Sequence, residues 1–83
     1  MSQLRRTADP IPPGQARVLL NVGDDSELVT SRHPATAPLR VPSARIAQQA
    51  GLPTGELPGR TFAVHMIGEN DADGFTLLND PRQ

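Results

Sequence analysis

The stretch from Val41 to Pro53 constrains this chain most, because it is the one place where the start, the periodicity and the stop of a single element agree. Pro42 fixes the entering backbone, and Ser43 has the short oxygen-bearing side chain that accepts a hydrogen bond from a free N–H of a first helical turn, the natural N-cap. Ile46, Ala47 and Ala50 share one face at helical spacing, while Arg45, Gln48 and Gln49 point away. Gly51 can take the left-handed conformation that ends a helix, Leu52 can fold back as its apolar contact, and Pro53 cannot continue it. The outcome is a helix of about two turns, too short to persist alone and dependent on packing against something flat. That surface is expected to be a sheet.

The flanking segments supply strands. Arg17 to Val22 has the length and β-branched content of one, Gly23 to Ser26 is a turn cluster, and Glu27 to Ser31 is its partner, a hairpin with a loop of about four residues. Arg32 to Pro38, with two prolines, is a connector, and Leu39-Arg40-Val41 is a brief strand. After the helix, Thr54 to Gly59 is turn-rich. Arg60 to Ile67 then alternates, placing Phe62, Val64 and Met66 on one face and Thr61, Ala63 and His65 on the other. Gly68 to Gly74 reads as an acidic loop, and Phe75 to Leu78 returns with Phe75 and Leu77 on the same buried face. The expected fold class is therefore α+β: a small, mainly antiparallel sheet in β-β-β-α-β-β order with one short helix.

Size limits what such a sheet can support. Residues 1–15 contain two isolated aliphatics and three prolines without any period, so they are expected to form a disordered tail, leaving residues 16–80 as a single domain. A core of that size is marginal, and association into a homodimer is a common remedy. There are no cysteines, so disulfides and thiolate metal sites are excluded. No apolar run approaches the ~20 residues that span a bilayer, and the N-terminus lacks the apolar centre of a signal peptide, so a cytoplasmic protein without membrane contact is expected.

The formal net charge of −1 argues against a strongly basic nucleic-acid binder but leaves room for segregated charge. Segregation is visible, since the basic residues are all arginine and cluster in the first half, whereas Glu56, Glu69, Asp71, Asp73 and Asp80 crowd the second. A catalytic set is hard to assemble. His33 sits in a proline-rich connector and His65 on the polar face of a strand, and neither has a nucleophile or acid placed beside it by sequence. The loop Glu69-Asn70-Asp71-Ala72-Asp73-Gly74 imitates the alternating carboxylates of an EF-hand, but Glu69, Thr76 and Asp80 depart from that pattern and the flanks read as strand, so a solvated hairpin tip is expected. Ile46 to Leu57 imitates the first helix and turn of a helix-turn-helix, and there Pro58 and Gly59 would interrupt the second helix.

Leu39-Arg40-Val41-Pro42, the amphipathic helix, Gly51-Leu52-Pro53-Thr54-Gly55-Glu56, then Phe62-Ala63-Val64 and a closing strand together resemble the swapped-hairpin family of AbrB and MazE-type regulators and antitoxins. The resemblance covers about half the chain, residues 39–78. It implies an intertwined homodimer that lays arginines on duplex DNA, with Arg40 in the strand that family members use near DNA and Arg45 early in the helix. Arg17 and Arg32 join them by charge alone, as phosphate contacts. The sequence departs from the family in its longer connector at 32–38 and in the inserted Leu57-Pro58-Gly59-Arg60. The expected function is non-catalytic binding without cofactor or metal. A dimeric DNA-binding regulator or antitoxin stands first, and a protein–protein interaction adaptor or accessory protein without nucleic-acid contact is the alternative.

Overall fold

The computed structural model describes residues 11–78. The expected tail thus lies outside the described residues as far as position 10, as do positions 79 and 80 of the expected domain. The described elements are β1 (Gln15–Val22), β2 (Asp25–Thr30), β3 (Leu39–Pro42), α1 (Ser43–Ala50), β4 (Thr61–Ile67) and β5 (Ala72–Leu77), with one 3-10 turn at Thr54–Glu56 between α1 and β4. The fold is α+β. All five strands form one antiparallel sheet of order β3-β2-β1-β4-β5, and every pairing lies within the one chain.

The alternation of small and apolar residues puts one face of this sheet inside. Ala16 and Val18 of β1, Leu28 of β2, Leu39 and Val41 of β3, Phe62 and Val64 of β4, and Phe75 of β5 are buried there with Ile46 and Ala47 of α1. Phe62 and Phe75 meet edge to face with ring centroids 6.2 Å apart, an aromatic arrangement worth about 0.5–1.5 kcal/mol beyond the area it buries. The helix packs on β5 at one end of the strand order and on β3 and β2 at the other, so the sheet curls until α1 spans the gap between its two outermost strands.

The helix ends as its sequence dictates and begins differently. Gly51 takes φ 74° and ψ 35°, and its N–H and that of Leu52 both reach Ala47 O, at 2.9 and 3.0 Å. At the other end Pro42 holds the cap position and no side chain caps the turn. Ser43 is instead the first helical residue, and its hydroxyl turns into the sheet to meet Ser26 Oγ at 2.7 Å. A buried hydroxyl needs a partner inside the protein, and Ser26 offers one.

Four other expectations are corrected. The β1–β2 loop has two residues, Gly23 and Asp24, because Val22 pairs with Asp25. The connector 54–59 is not merely turn: Leu57 is fully buried in the core, and Gly59 N and Arg60 O bond to the two backbone groups of Val18, extending the β1–β4 seam. β5 starts at Ala72, within the expected acidic loop, which shortens that loop to 68–71. Met66 is 42% exposed rather than buried. Gly74, at φ +79° inside β5, sits opposite His65 and re-aims the ribbon, so that beyond it Ala72 rather than Asp73 faces the core and Ile67 rather than Met66 packs against it.

Candidate functional site

The outer face of β1, β2 and β3 is read directly from the register. Val22 and Asp25 with Pro42 form one row; Leu20, Glu27 and Arg40 form the next; Arg17 and Val29 form the third. Leu19 is the extra residue of a bulge between Val18 and Leu20, and it is this bulge that turns Leu20 outward. Leu20 is 46% exposed, with half-buried Val22 and Val29 in the rows on either side of it. Across the middle row Arg40 Nη2 lies 3.2 Å from Glu27 Oε2. The pair is solvent-accessible and adds little stability, but it neutralises the guanidinium. Arg17 and Asp25 make no ion pair among the described residues.

The four candidate arginines divide into two places. Arg17 and Arg40 share the outer face, and the other two surround the β4–β5 turn. There Arg32 Nη1 donates to Ile67 O at 3.2 Å, and Arg45 Nη1 reaches both Asp71 Oδ1 at 2.7 Å and Ala72 O at 2.8 Å. His33 joins them: its Nε2 lies 2.9 Å from Glu69 O and its Nδ1 2.7 Å from Thr30 Oγ1. A carbonyl only accepts, so Nε2 carries the proton, and in the neutral ring Nδ1 accepts from Thr30, whose oxygen also accepts from Arg32 N–H at 3.0 Å. Sequence alone did not place a hydroxyl beside His33. Threonine and histidine at this distance have the geometry of a nucleophile and base, but Thr30 is only 4% exposed. The contact therefore acts as a strut between the connector and the turn.

The polar face of α1 is spent on β5. Gln49 Nε2 donates to Asp73 Oδ1 at 2.8 Å, and its Oε1 accepts from Gly74 N and Phe75 N at 3.0 and 2.8 Å. The Gln49 amide holds the Asp73 carboxyl below its ordinary value of 3.8, with the Gly74 N–H adding to the effect. The carboxylates whose sequence spacing imitates a calcium loop are engaged separately, Asp71 by Arg45 and Asp73 by Gln49, and Asp80 lies outside the described residues. Among the described residues no group of three or more His, Asp or Glu side chains is placed to hold a metal ion.

A cleft of about 200 Å³ opens at the start of α1, lined by Asn21, Gly23, Asp24, Ser43, Ala44 and Thr54. The Asn21 and Ser43 side chains in it are engaged within the protein. Asn21 Nδ2 donates to Thr54 O, Ser26 Oγ donates to Asn21 Oδ1, which leaves Ser43 as the donor to Ser26, and Ser43 N–H reaches Asp24 O. Among the described residues no helix is long and apolar enough to cross a membrane. No family model matches this chain, and neither a curated protein nor a solved structure gives a match.

Proposed function

We propose that this chain is a non-catalytic binding protein whose working surface is the outer face of β1–β3, and that the surface it takes belongs to another protein. Leu20 carries the reading: it is a large apolar side chain, 46% exposed, standing on a sheet face between an uncommitted Arg17 and an uncommitted Asp25. An exposed aliphatic with arginine beside it is the composition of a protein-binding patch. A phosphate-tracking surface needs several uncommitted cations on one face. Here Arg40 is answered by Glu27, Arg45 by Asp71, and Arg32 donates to a carbonyl at the far turn.

The second reading, a cytoplasmic DNA-binding regulator or antitoxin, draws on the resemblance of residues 39–78 and on the guanidinium of Arg17, which makes no ion pair among the described residues. One experiment separates the two. A photo-crosslinking residue is placed at position 20 and, as a control, at exposed Gln48 of α1. Protein adducts at position 20 that are absent at 48 and lost with Arg17→Asp support the first reading. Retardation of duplex DNA at low salt, abolished by Arg17→Ala, with no protein adduct at position 20, overturns it in favour of the second.

A further inference from the structure

We infer that the partner fitted by the β1–β3 face is a second copy of this chain. The inference rests on the preceding reading of that face and adds the identity of its occupant. The two outer rows carry opposite charge, Asp25 in one and Arg17 in the other, and the row between them holds Leu20 beside the Glu27–Arg40 ion pair. Successive rows on one face of a strand are about 7 Å apart, so Asp25 and Arg17 stand roughly 14 Å from each other, beyond the screening length of physiological salt. They cannot serve one another within a chain. A two-fold axis lying in the face along the Leu20 row reverses the order of the rows in the second copy. It then sets Leu20 against Leu20 and brings each Arg17 to the Asp25 of the other copy. An isologous interface repeats every contact twice, so the outer rows are complementary in charge, while in the middle row the neutralised Glu27–Arg40 pair of one copy meets the same pair of the other.

The sheet edges leave this face as the available route. Ser43 N–H bonds to Asp24 O, so positions 39, 41 and 43 turn their peptide groups toward β2, and positions 40 and 42 turn theirs outward. Pro42 has no N–H to offer, and neither has Pro38 two residues before Arg40, so β3 presents a poor edge for adding a strand. The outer edge of β5 is occupied by Gln49 and Arg45. A core with two phenylalanines as its largest members also gains from covering further apolar surface. Three strands at about 4.8 Å spacing make a patch well below the ~800 Å² per partner of a standard interface, so the dimer is concentration-dependent rather than obligate.

The test is sedimentation equilibrium of the full chain from about 10 μM to about 1 mM at low salt, with circular dichroism confirming that each variant is folded. The wild type is expected to pass from monomer to dimer across that range. Arg17→Asp and Asp25→Arg each reverse two contacts of the pair and weaken association at least about tenfold, and the double charge swap restores it to within about threefold. Leu20→Ser weakens it without rescue by either. A wild type that stays monomeric at the highest concentration, a dimer indifferent to Arg17→Asp, or a double variant weaker than either single one overturns the inference. If the chain is monomeric but the crosslinker at position 20 still captures another protein, the second copy is ruled out and the reading of the face stands. If nothing is captured either, both fall.

Discussion

Gly74 shows how much one position decides. At φ +79° it occupies backbone that side-chain-bearing residues rarely adopt, and a Cβ there would stand 2.5 Å from His65 Cβ on the paired strand. Gly74→Ala therefore adds backbone strain to a clash with atoms that cannot move away, for a cost of at least about 2 kcal/mol and a fall in Tm of roughly 10 °C or more. Gly55→Ala, at ordinary φ and with open space around it, is the control and leaves Tm level or slightly higher. Thermal denaturation of the two variants checks this, and equal melting temperatures would refute the close approach. The same residue explains why Met66 was legible as a core position only by alternation: the alternation is real as far as Val64, and the glycine that breaks it lies on a different strand. Leu57 escaped for the opposite reason, since a single leucine between glutamate and proline carries no period.

At the scale of elements, α1 acts as a substitute strand. The Gln49 side-chain carbonyl accepts from the backbone N–H groups of Gly74 and Phe75, as a carbonyl of a neighbouring strand could, while its amino group, which has two N–H donors, donates to the Asp73 carboxylate. Gln49→Ala leaves the Gly74 and Phe75 N–H groups without this partner. It is expected to cost about 1–3 kcal/mol and to speed exchange of those two amides more than that of Val64 or Phe62. The variant also releases Asp73. Because the folded carboxyl lies below 3.8, its contribution to stability is fully present above that value and is lost as pH falls through the lower folded midpoint. In Gln49→Ala the Asp73 midpoint moves back up toward 3.8, which a carboxyl-carbon NMR titration reads directly, and an unmoved midpoint would count against Gln49 as the main cause. The helix was legible in sequence to its last residue, because Gly51, Leu52 and Pro53 act locally. Periodicity turns its polar face away from the core, but says nothing of what that face will meet. Arg45 illustrates the limit: its charge was plain, and its partners, the last loop residue before β5 and the first residue of that strand, lie 26 and 27 positions away.

For the whole molecule, the strand order fixes which contacts are expensive to make. β1–β2 and β4–β5 are hairpins that close locally, whereas β1–β4 joins Ala16 to Phe62 and cannot form until the chain between them has been ordered. Folding is therefore expected to start in the β1–β2–β3 half. Leu28→Ala should slow refolding, with a φ-value above about 0.5, while Ala16→Gly in the long-range seam should mainly speed unfolding, with a φ-value below about 0.3. Stopped-flow chevrons of the two variants test this, and reversed values would place the nucleus at the seam. The α+β class and the order of elements could be anticipated because each strand carries its own pattern. The curl of the sheet could not, because it depends on α1 lying between β3 and β5 at once. Finally, proline on one rim and a glutamine side chain on the other mean that, among the described residues, neither sheet edge displays an uninterrupted ladder of free peptide groups on which a further chain could be templated. Cross-β fibrils of this protein must then grow from molecules that have first lost the helix or unfolded, so fibril formation should be limited by the rate of opening and not by encounters between native molecules.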